Sequence, residues 1–147
     1  MNPPSGRILA LRLCRGPRIP MGAPGEAAAR ADFGLEGDRH ARRGSPRQVL
    51  LVDAAVLAAE GLSPGDLREN LTVEGFPVDG LAPGTRLRCG AAVVLRVTGP
   101  CEPCSFIEGI RPGLRERLRG RRGTLAVVEE GGALRAGDSC TVSGTSG

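Results

Sequence analysis

Two cysteines three residues apart, Cys101 and Cys104, are the side chains of this sequence best suited to chemistry. They follow an apolar, strand-like run, and an arginine-rich stretch, residues 111–122, comes after them. A thiol acts as a nucleophile or metal ligand in its thiolate form, which nearby positive charge favours. The spacing alone leaves four interpretations open: half of a zinc site, a redox pair, one catalytic or ligating thiol, or two inert small residues.

The first two interpretations find little support elsewhere in the chain. Structural zinc needs four ligands, and the remaining candidates, Cys14, His40, Cys89 and Cys140, do not form a second close pair. A thioredoxin-type redox pair is expected beside a βαβ unit, which this region does not offer. The three other cysteines lie in or beside strand-like segments, so we predict that they pack as small apolar residues.

A second polar cluster, residues 34–43, combines glycines, acids, arginines and the single histidine of the chain. Glycine lets backbone approach a ligand closely, and arginine binds phosphate through charge-assisted hydrogen bonds. The alternative is a simple turn in which Asp38 pairs with a neighbouring arginine. The candidate binding residues of this loop are Gly37, Asp38, Arg39 and His40.

A third cluster, Arg68-Glu69-Asn70, stands at the entrance to an apolar strand. Polar groups at such a position either satisfy loop backbone groups or project from the sheet end into a pocket. Both interpretations remain open from the residues alone.

Composition excludes several classes of function. With 147 residues, 40% of them hydrophobic, and no long uncharged apolar run, the chain is expected to be one soluble domain spanning residues 1–147 without a membrane span. We expect a core over about residues 7–142 and a flexible tail over 143–147. No apolar leader follows the N-terminus, which predicts a cytoplasmic protein with reduced thiols.

The charged residues narrow the partners further. All 20 basic residues are arginine, so lysine Schiff-base chemistry and internal-aldimine chemistry with pyridoxal phosphate are excluded. The net charge of +4 invites a nucleic-acid interpretation, but three Phe and no Tyr or Trp leave little for base stacking. We therefore expect no nucleic-acid partner.

Hydrophobic periodicity predicts a mainly β chain. Strands are expected over residues 7–13, with Leu9, Leu11 and Leu13 on one face, and over 48–52, 70–74, 124–128 and 139–142, with a hairpin over 85–98. Asp53 can cap a helix over 54–60 that Gly61 ends, and a short basic helix is predicted between 112 and 119. Residues 15–32 are expected to be mostly loop, with a short strand near Ala29. Many short strands and few helices favour a closed β-barrel, which hides strand edges.

Five segments together resemble the MOSC domain, the family named for the C-terminal domain of molybdenum cofactor sulfurase. They are residues 34–40, 47–49, 68–71, 101–104 and 132–138, within a stretch that runs from about residue 7 to 142. The resemblance implies a closed β-barrel with a few short helices, similar to the barrel domain of pyruvate kinase. It also implies a domain that binds a molybdopterin-type cofactor or carries sulfur for it.

The resemblance assigns roles to particular residues. The mitochondrial amidoxime-reducing component ligates molybdenum through a similar Cys-x-x-Cys stretch, whose second cysteine matches Cys104, with Cys101 as its possible partner. An Arg-x-Asn there is similar to Arg68 and Asn70. Arg39, Arg68 and one or more of Arg119, Arg121 and Arg122 are implied ligands of the pterin phosphate, and of these three we choose Arg121. His40 is implied to hydrogen-bond the pterin or position its loop. Many small members carry lysine where residues 19–21 read Ile-Pro-Met, which implies weaker neutralisation of the cofactor here.

Three hypotheses of function follow from the residues and the resemblance. The first is a small oxidoreductase with Cys104-ligated molybdenum, acting on N-hydroxylated substrates with an electron-donor protein as partner. The alternative is a carrier that holds persulfide on Cys101 or Cys104, with a cysteine desulfurase as partner. The third is a binding module for a phosphorylated ligand. Pyridoxal phosphate is not expected as a cofactor, because the chain has no lysine.

Overall fold

The structure is a computed structural model that describes residues 2–145, and this part of the chain forms ten strands and three short helices. The strands are β1 (Ser5–Leu11), β2 (Ala27–Arg30), β3 (Gly34–Leu35), β4 (Val49–Asp53), β5 (Leu71–Glu74), β6 (Thr85–Cys89), β7 (Val93–Pro100), β8 (Thr124–Glu130), β9 (Gly132–Leu134) and β10 (Ser139–Thr145). The helices are α1 (Ala54–Glu60), α2 (Ser105–Ile110) and α3 (Leu114–Arg117).

Seven strands close into a barrel in the order β1-β10-β6-β7-β8-β4-β5, and β5 pairs back onto β1. Every neighbouring pair is antiparallel except β4 and β5, which run parallel on either side of α1. Closure leaves no free barrel edge, which is the physical reason such short strands are stable together. The predicted mainly β, closed-barrel fold is confirmed. A separate three-stranded sheet has the order β3-β2-β9.

The barrel interior holds the main hydrophobic core. Leu51, Leu71, Leu87 and Leu95 are completely buried within it. Burying one such side chain stabilises the fold by about 1.5–3 kcal/mol relative to leaving it in water. The barrel is therefore filled with side chains, and ligand binding must use its outside or its loops.

The predicted inward phase of β1 is wrong at Leu9. A register irregularity against β5 lies between Ile8 and Ala10, so Ile8 is buried and Leu9 is 42% exposed. A bulge adds one residue to a strand and thereby exchanges the faces on which later side chains lie. Leu11 and Leu13 are buried, as predicted.

A second, smaller core joins the helices to the barrel. It contains Val56 and Leu57 of α1, Ile107 of α2, and Leu114 and Leu118 of the α3 region. Beside it, the carboxylate of Glu60 accepts hydrogen bonds from Arg111, Arg117 and Arg121. Together these contacts fix the segment that follows Cys104.

The local helix signals are confirmed in α1, where the Asp53 carboxylate accepts from Ala55 N at 2.9 Å and Gly61 closes the helix with φ +68°. The single helix predicted between 112 and 119 is α3, and α2 was not predicted. β10 continues through Thr145, so part of the expected tail is strand, and residues 146–147 lie outside the described residues. Among residues 2–145, no helix is long and apolar enough to cross a membrane.

Candidate functional site

A cavity of about 690 Å³ collects most of the polar residues singled out in the sequence. Its thiols are Cys14, Cys101 and Cys104, and its arginines are Arg12, Arg18, Arg39, Arg47, Arg68 and Arg122. Within residues 2–145, Asp66 is the one acid that lines it. His40 and Asn70 also line the cavity, with the apolar side chains of Met21, Leu50 and Phe106. The cavity is therefore strongly positive, with soft sulfur atoms on its wall.

The two neighbouring cysteines differ in their surroundings. Cys101 is 7% exposed, its N–H donates to the Gly123 carbonyl at 2.9 Å, and its Sγ lies 3.9 Å from Arg47 Nη2. Cys104 is exposed and precedes α2 as its N-cap, and its side chain makes no capping hydrogen bond. Of the pair, Cys104 presents the more accessible thiol to a ligand.

Hydrogen bonds to the Asp38 carboxylate hold the loop of residues 34–43 against its neighbours. Its side chain is fully buried, and Oδ1 accepts from Cys14 N at 2.7 Å and from Asn70 Nδ2 at 2.9 Å. Oδ2 accepts from His40 N at 3.0 Å. Burial opposes ionisation of this carboxyl, but the hydrogen bonds from His40, Cys14 and Asn70 outweigh it and lower the pKa of Asp38. Neither Gly37 nor Asp38 lines the cavity, whereas Arg39 and His40 do.

The predicted Arg-x-Asn pair lies on the wall of the cavity, where much of its bonding capacity is used internally. Asn70 accepts from Leu50 N and donates to the Arg12 carbonyl at 3.1 Å. Arg68, with φ +62°, donates to the carbonyls of Ile19 and Gly16 at 2.7 and 2.8 Å. These bonds fasten the loop of residues 15–22 to the start of β5.

Cys14 differs from the packing role predicted for it. Although buried, it lines the cavity, and its Sγ lies 3.2 Å from Arg68 Nη2. The two remaining cysteines, Cys89 and Cys140, face each other across β6 and β10 in the barrel core, with Sγ atoms 3.6 Å apart. Their mutual hydrogen bond, together with burial, raises the pKa of the Cys89 thiol.

The three arginines at 119, 121 and 122 have different surroundings in the structure. Arg119 pairs with Glu116 and Arg121 with Glu60, and neither lines the cavity. Arg122 lines it, is 6% exposed, and its Nε and Nη1 atoms are buried with no hydrogen-bond partner among the described residues. Arg121 was the member chosen from the sequence, but Arg122 is the one at the cavity.

Sequence reasoning missed several cavity residues. Arg12 and Arg47 lie there, although only the Arg47-Gln48-Val49 segment carried a signal, through the resemblance. Gln48 explains part of that segment, because its buried amide accepts from Val128 N and donates to the Arg42 carbonyl. Within residues 2–145, no group of three or more His, Cys, Asp or Glu side chains is arranged to hold a metal ion.

Comparison with known proteins gives one family and several solved structures. The family model of the MOSC domain matches residues 40–141. YuaD from Bacillus subtilis is 21% identical, with a TM-score of 0.78 over 92% of this chain and 94% of that one. YiiM from Geobacillus stearothermophilus is 16% identical, with a TM-score of 0.73 over 95% and 75% of the two chains. YiiM from Escherichia coli is 20% identical, with a TM-score of 0.67 over 99% and 71%.

At these identities the likeness to solved structures concerns the fold, a closed barrel with short helices. Comparison with curated protein sequences gives no significant match. The family model spans more than half of the chain and includes His40, the Arg68-Glu69-Asn70 segment, both neighbouring cysteines and Arg122. The chain therefore belongs to the MOSC domain family.

Proposed function

We propose that this protein binds a molybdenum cofactor of the molybdopterin type in the arginine-lined cavity, with the Cys104 thiolate as the protein's ligand to the metal. The observation that carries the proposal is an exposed thiol on the wall of a strongly cationic cavity. Thiolate is a soft ligand suited to a metal already bound by dithiolene sulfurs, and guanidinium groups suit the pterin phosphate. The residues present thus fit both ends of such a cofactor.

The cavity residues divide into ligands and supports. Cys104 would bind the metal, while Cys101 is held by the Gly123 carbonyl and lies beside Arg47. Asp38 and Asn70 fix the backbone at Cys14, His40 and Arg12, so the walls are set before a ligand enters. When bound, the cofactor would supply two-electron oxidation and reduction.

The reaction class proposed for this site is reduction of N-hydroxylated compounds. Conversion of an N–OH group to N–H breaks the N–O bond, releases water, and consumes two electrons and two protons. A separate electron-donor protein would provide the electrons. The His40 ring, 53% exposed and part of the cavity lining, would form a hydrogen bond with such a substrate.

Metal analysis tests the proposal directly. Protein made in a host that synthesises the cofactor is expected to contain molybdenum, and Cys104→Ala should lower the molybdenum content at least about tenfold. Cys101→Ala is the matched control, because it removes a thiol from the same segment while leaving the exposed one. Circular dichroism would verify that both variants are folded. Equal molybdenum in Cys104→Ala and the parent protein would refute the ligand assignment.

The exposure of Cys104 also supports a second function, sulfur carriage. An accessible thiolate can attack the outer sulfur of a desulfurase persulfide, so that the donor S–S bond breaks, a new one forms on Cys104, and the donor leaves as a thiolate. Incubation with a cysteine desulfurase and free cysteine, followed by peptide mass spectrometry, should then show a gain of one sulfur that a thiol reductant removes. Absence of this gain on the 101–104 peptide would eliminate the carrier function.

A further inference from the structure

We infer that Arg122 is the anion receptor of the cavity and that the ligand group it receives is a phosphate. The inference rests on the proposed function for the identity of the cavity and deepens it by naming the residue and the chemical group. Phosphate binding at Arg122 requires neither a metal nor the Cys104 thiol, so this inference and the proposed metal ligation can fail separately.

The strongest observation is a buried guanidinium with two nitrogen atoms that lack a hydrogen-bond partner among the described residues. Arg122 is 6% exposed, and its Nε and Nη1 atoms have no hydrogen-bond partner in the described part of the chain. A guanidinium does not lose its proton in a protein, so burial without an acceptor is strongly unfavourable. A bound anion is one of the few acceptors that can satisfy such a group from outside the chain.

Four other arginines of residues 111–122 do have acidic partners, so the lack of a hydrogen-bond partner is not general to this stretch. Glu60 accepts hydrogen bonds from Arg111, Arg117 and Arg121, and Glu116 pairs with Arg119. Glu60 and Glu116 are therefore paired with arginines outside the cavity. Arg122 is the member of the 111–122 stretch that both lines the cavity and is buried.

Hydrogen bonds of Gly123, the residue after Arg122, hold the backbone beside Cys101. The Gly123 carbonyl accepts from Cys101 N at 2.9 Å, and Gly123 N donates to Asp79 Oδ1 at 3.1 Å. Gly123 has φ +128°, and a Cβ there would lie 2.7 Å from the Leu51 carbonyl, so the chain approaches β4 as closely as glycine allows. The guanidinium thus extends from an anchored backbone next to Cys101.

The charge of the wall favours a dianion. Six arginines and one aspartate line the cavity within the described residues, and that Asp66 carboxylate already accepts from Ser63 N at 2.8 Å. A phosphate group carries up to two negative charges and three or more acceptor oxygens, which match several guanidinium groups better than a single carboxylate does. Arg39 and Arg47 also line the cavity and provide further donors.

Titration of cofactor-free protein with inorganic phosphate tests the assignment. Calorimetry at constant ionic strength, with chloride as the balancing anion, should give saturable binding to the parent protein. Arg122→Gln is expected to weaken that binding at least about tenfold, the loss expected for one charge-assisted hydrogen bond. Arg119→Gln is the matched control: it removes the same charge three residues away, from a side chain that is 76% exposed and paired, and should change affinity less than about twofold.

Two further measurements separate the possible outcomes. Cys104→Ala should bind phosphate like the parent, so a failure of metal ligation would leave this result intact. The Arg122 Nε–H resonance, identified by its loss in Arg122→Lys, should shift with phosphate to the same midpoint as the calorimetric curve, a readout that holds even if Arg122→Gln does not fold. Unchanged affinity in Arg122→Gln, or an Nε–H shift equal to that caused by chloride, would overturn the inference.

The same titration on cofactor-loaded protein identifies the source of the phosphate. If loading abolishes phosphate binding, the cofactor's own phosphate occupies Arg122. If binding persists, the receptor serves a phosphorylated substrate. Both results support the receptor and differ in which ligand fills it.

Discussion

Asp79 should make the stability of this protein fall between pH 4 and pH 6. It lies in the connection between β5 and β6, and its Oδ1 accepts from Gly123 N at 3.1 Å. Burial, and to a smaller extent the charge of Asp53, raises the pKa of its carboxyl to about 6. The Gly123 hydrogen bond and the charge of Arg121 lower this pKa but do not offset the rise. The folded protein therefore retains a proton that the unfolded chain releases at lower pH.

The sign and size follow from linkage. A carboxyl with a raised folded pKa contributes stability that is fully present below about pH 4 and is lost as the pH rises through about 6. A rise in pKa from 3.8 to about 6 corresponds to at most about 3 kcal/mol, and partial contact with solvent reduces this to about 1–2 kcal/mol. Asp79→Asn keeps an oxygen for Gly123 N and removes the charge. It should raise the free energy of unfolding at pH 7 by about 1–2 kcal/mol and change it little at pH 4.

Urea unfolding of the parent and Asp79→Asn at pH 4, 5, 6 and 7 measures this difference. The gap between the two free energies should open as the pH rises from 4 to 6 and stay nearly constant above pH 6. Glu130→Gln, which removes an exposed carboxylate at the end of β8, controls for the change in net charge. Parallel curves for the parent and Asp79→Asn, or a variant that is less stable at pH 7, would refute the reasoning.

Two other substitutions test the supports of the site. Glu60→Gln should lower the melting temperature at pH 7, because three arginines lose a buried counter-charge, and an unchanged melting temperature would contradict this. Hydrogen bonding from Arg117, above all, lowers the pKa of Glu60 despite burial. The stability that the parent gains from Glu60 should therefore be lost as the pH falls below 4.5 through the folded pKa. Gly123→Ala should destabilise the protein by about 2 kcal/mol or more, since it combines a positive φ with a clash at the Leu51 carbonyl. Gly137 has φ +96° and open space around it, so Gly137→Ala measures the cost of the positive φ alone, about 1–2 kcal/mol of stability. Equal losses of stability in Gly123→Ala and Gly137→Ala would show that the clash at Leu51 contributes nothing.

The parts of the fold that follow from neighbouring residues could be predicted from the sequence. Asp53 and Gly61 bound α1 as expected, since a cap depends on groups within a few residues. The exposure of Leu9 could not be predicted, because the bulge in β1 depends on its pairing with β5, more than sixty residues away. α2 was missed for a similar reason: Cys104 gives it no side-chain cap, and Ile107 is held by a core shared with α1 and α3.

The selection of one arginine from several shows why the site could be predicted only in outline. By residue type the arginines of 111–122 are equivalent, and their positions in the chain do not say which of them lack a partner. Glu60, about fifty to sixty residues earlier in the chain, decides this by taking up three of them outside the cavity. What remains at the cavity is Arg122, which is buried and whose Nε and Nη1 atoms have no hydrogen-bond partner among residues 2–145. The specificity of the site for an anion therefore depends as much on where the acids lie as on the arginines that line it. Glu60→Gln should weaken helix packing without creating a second phosphate site, since Arg121 does not line the cavity.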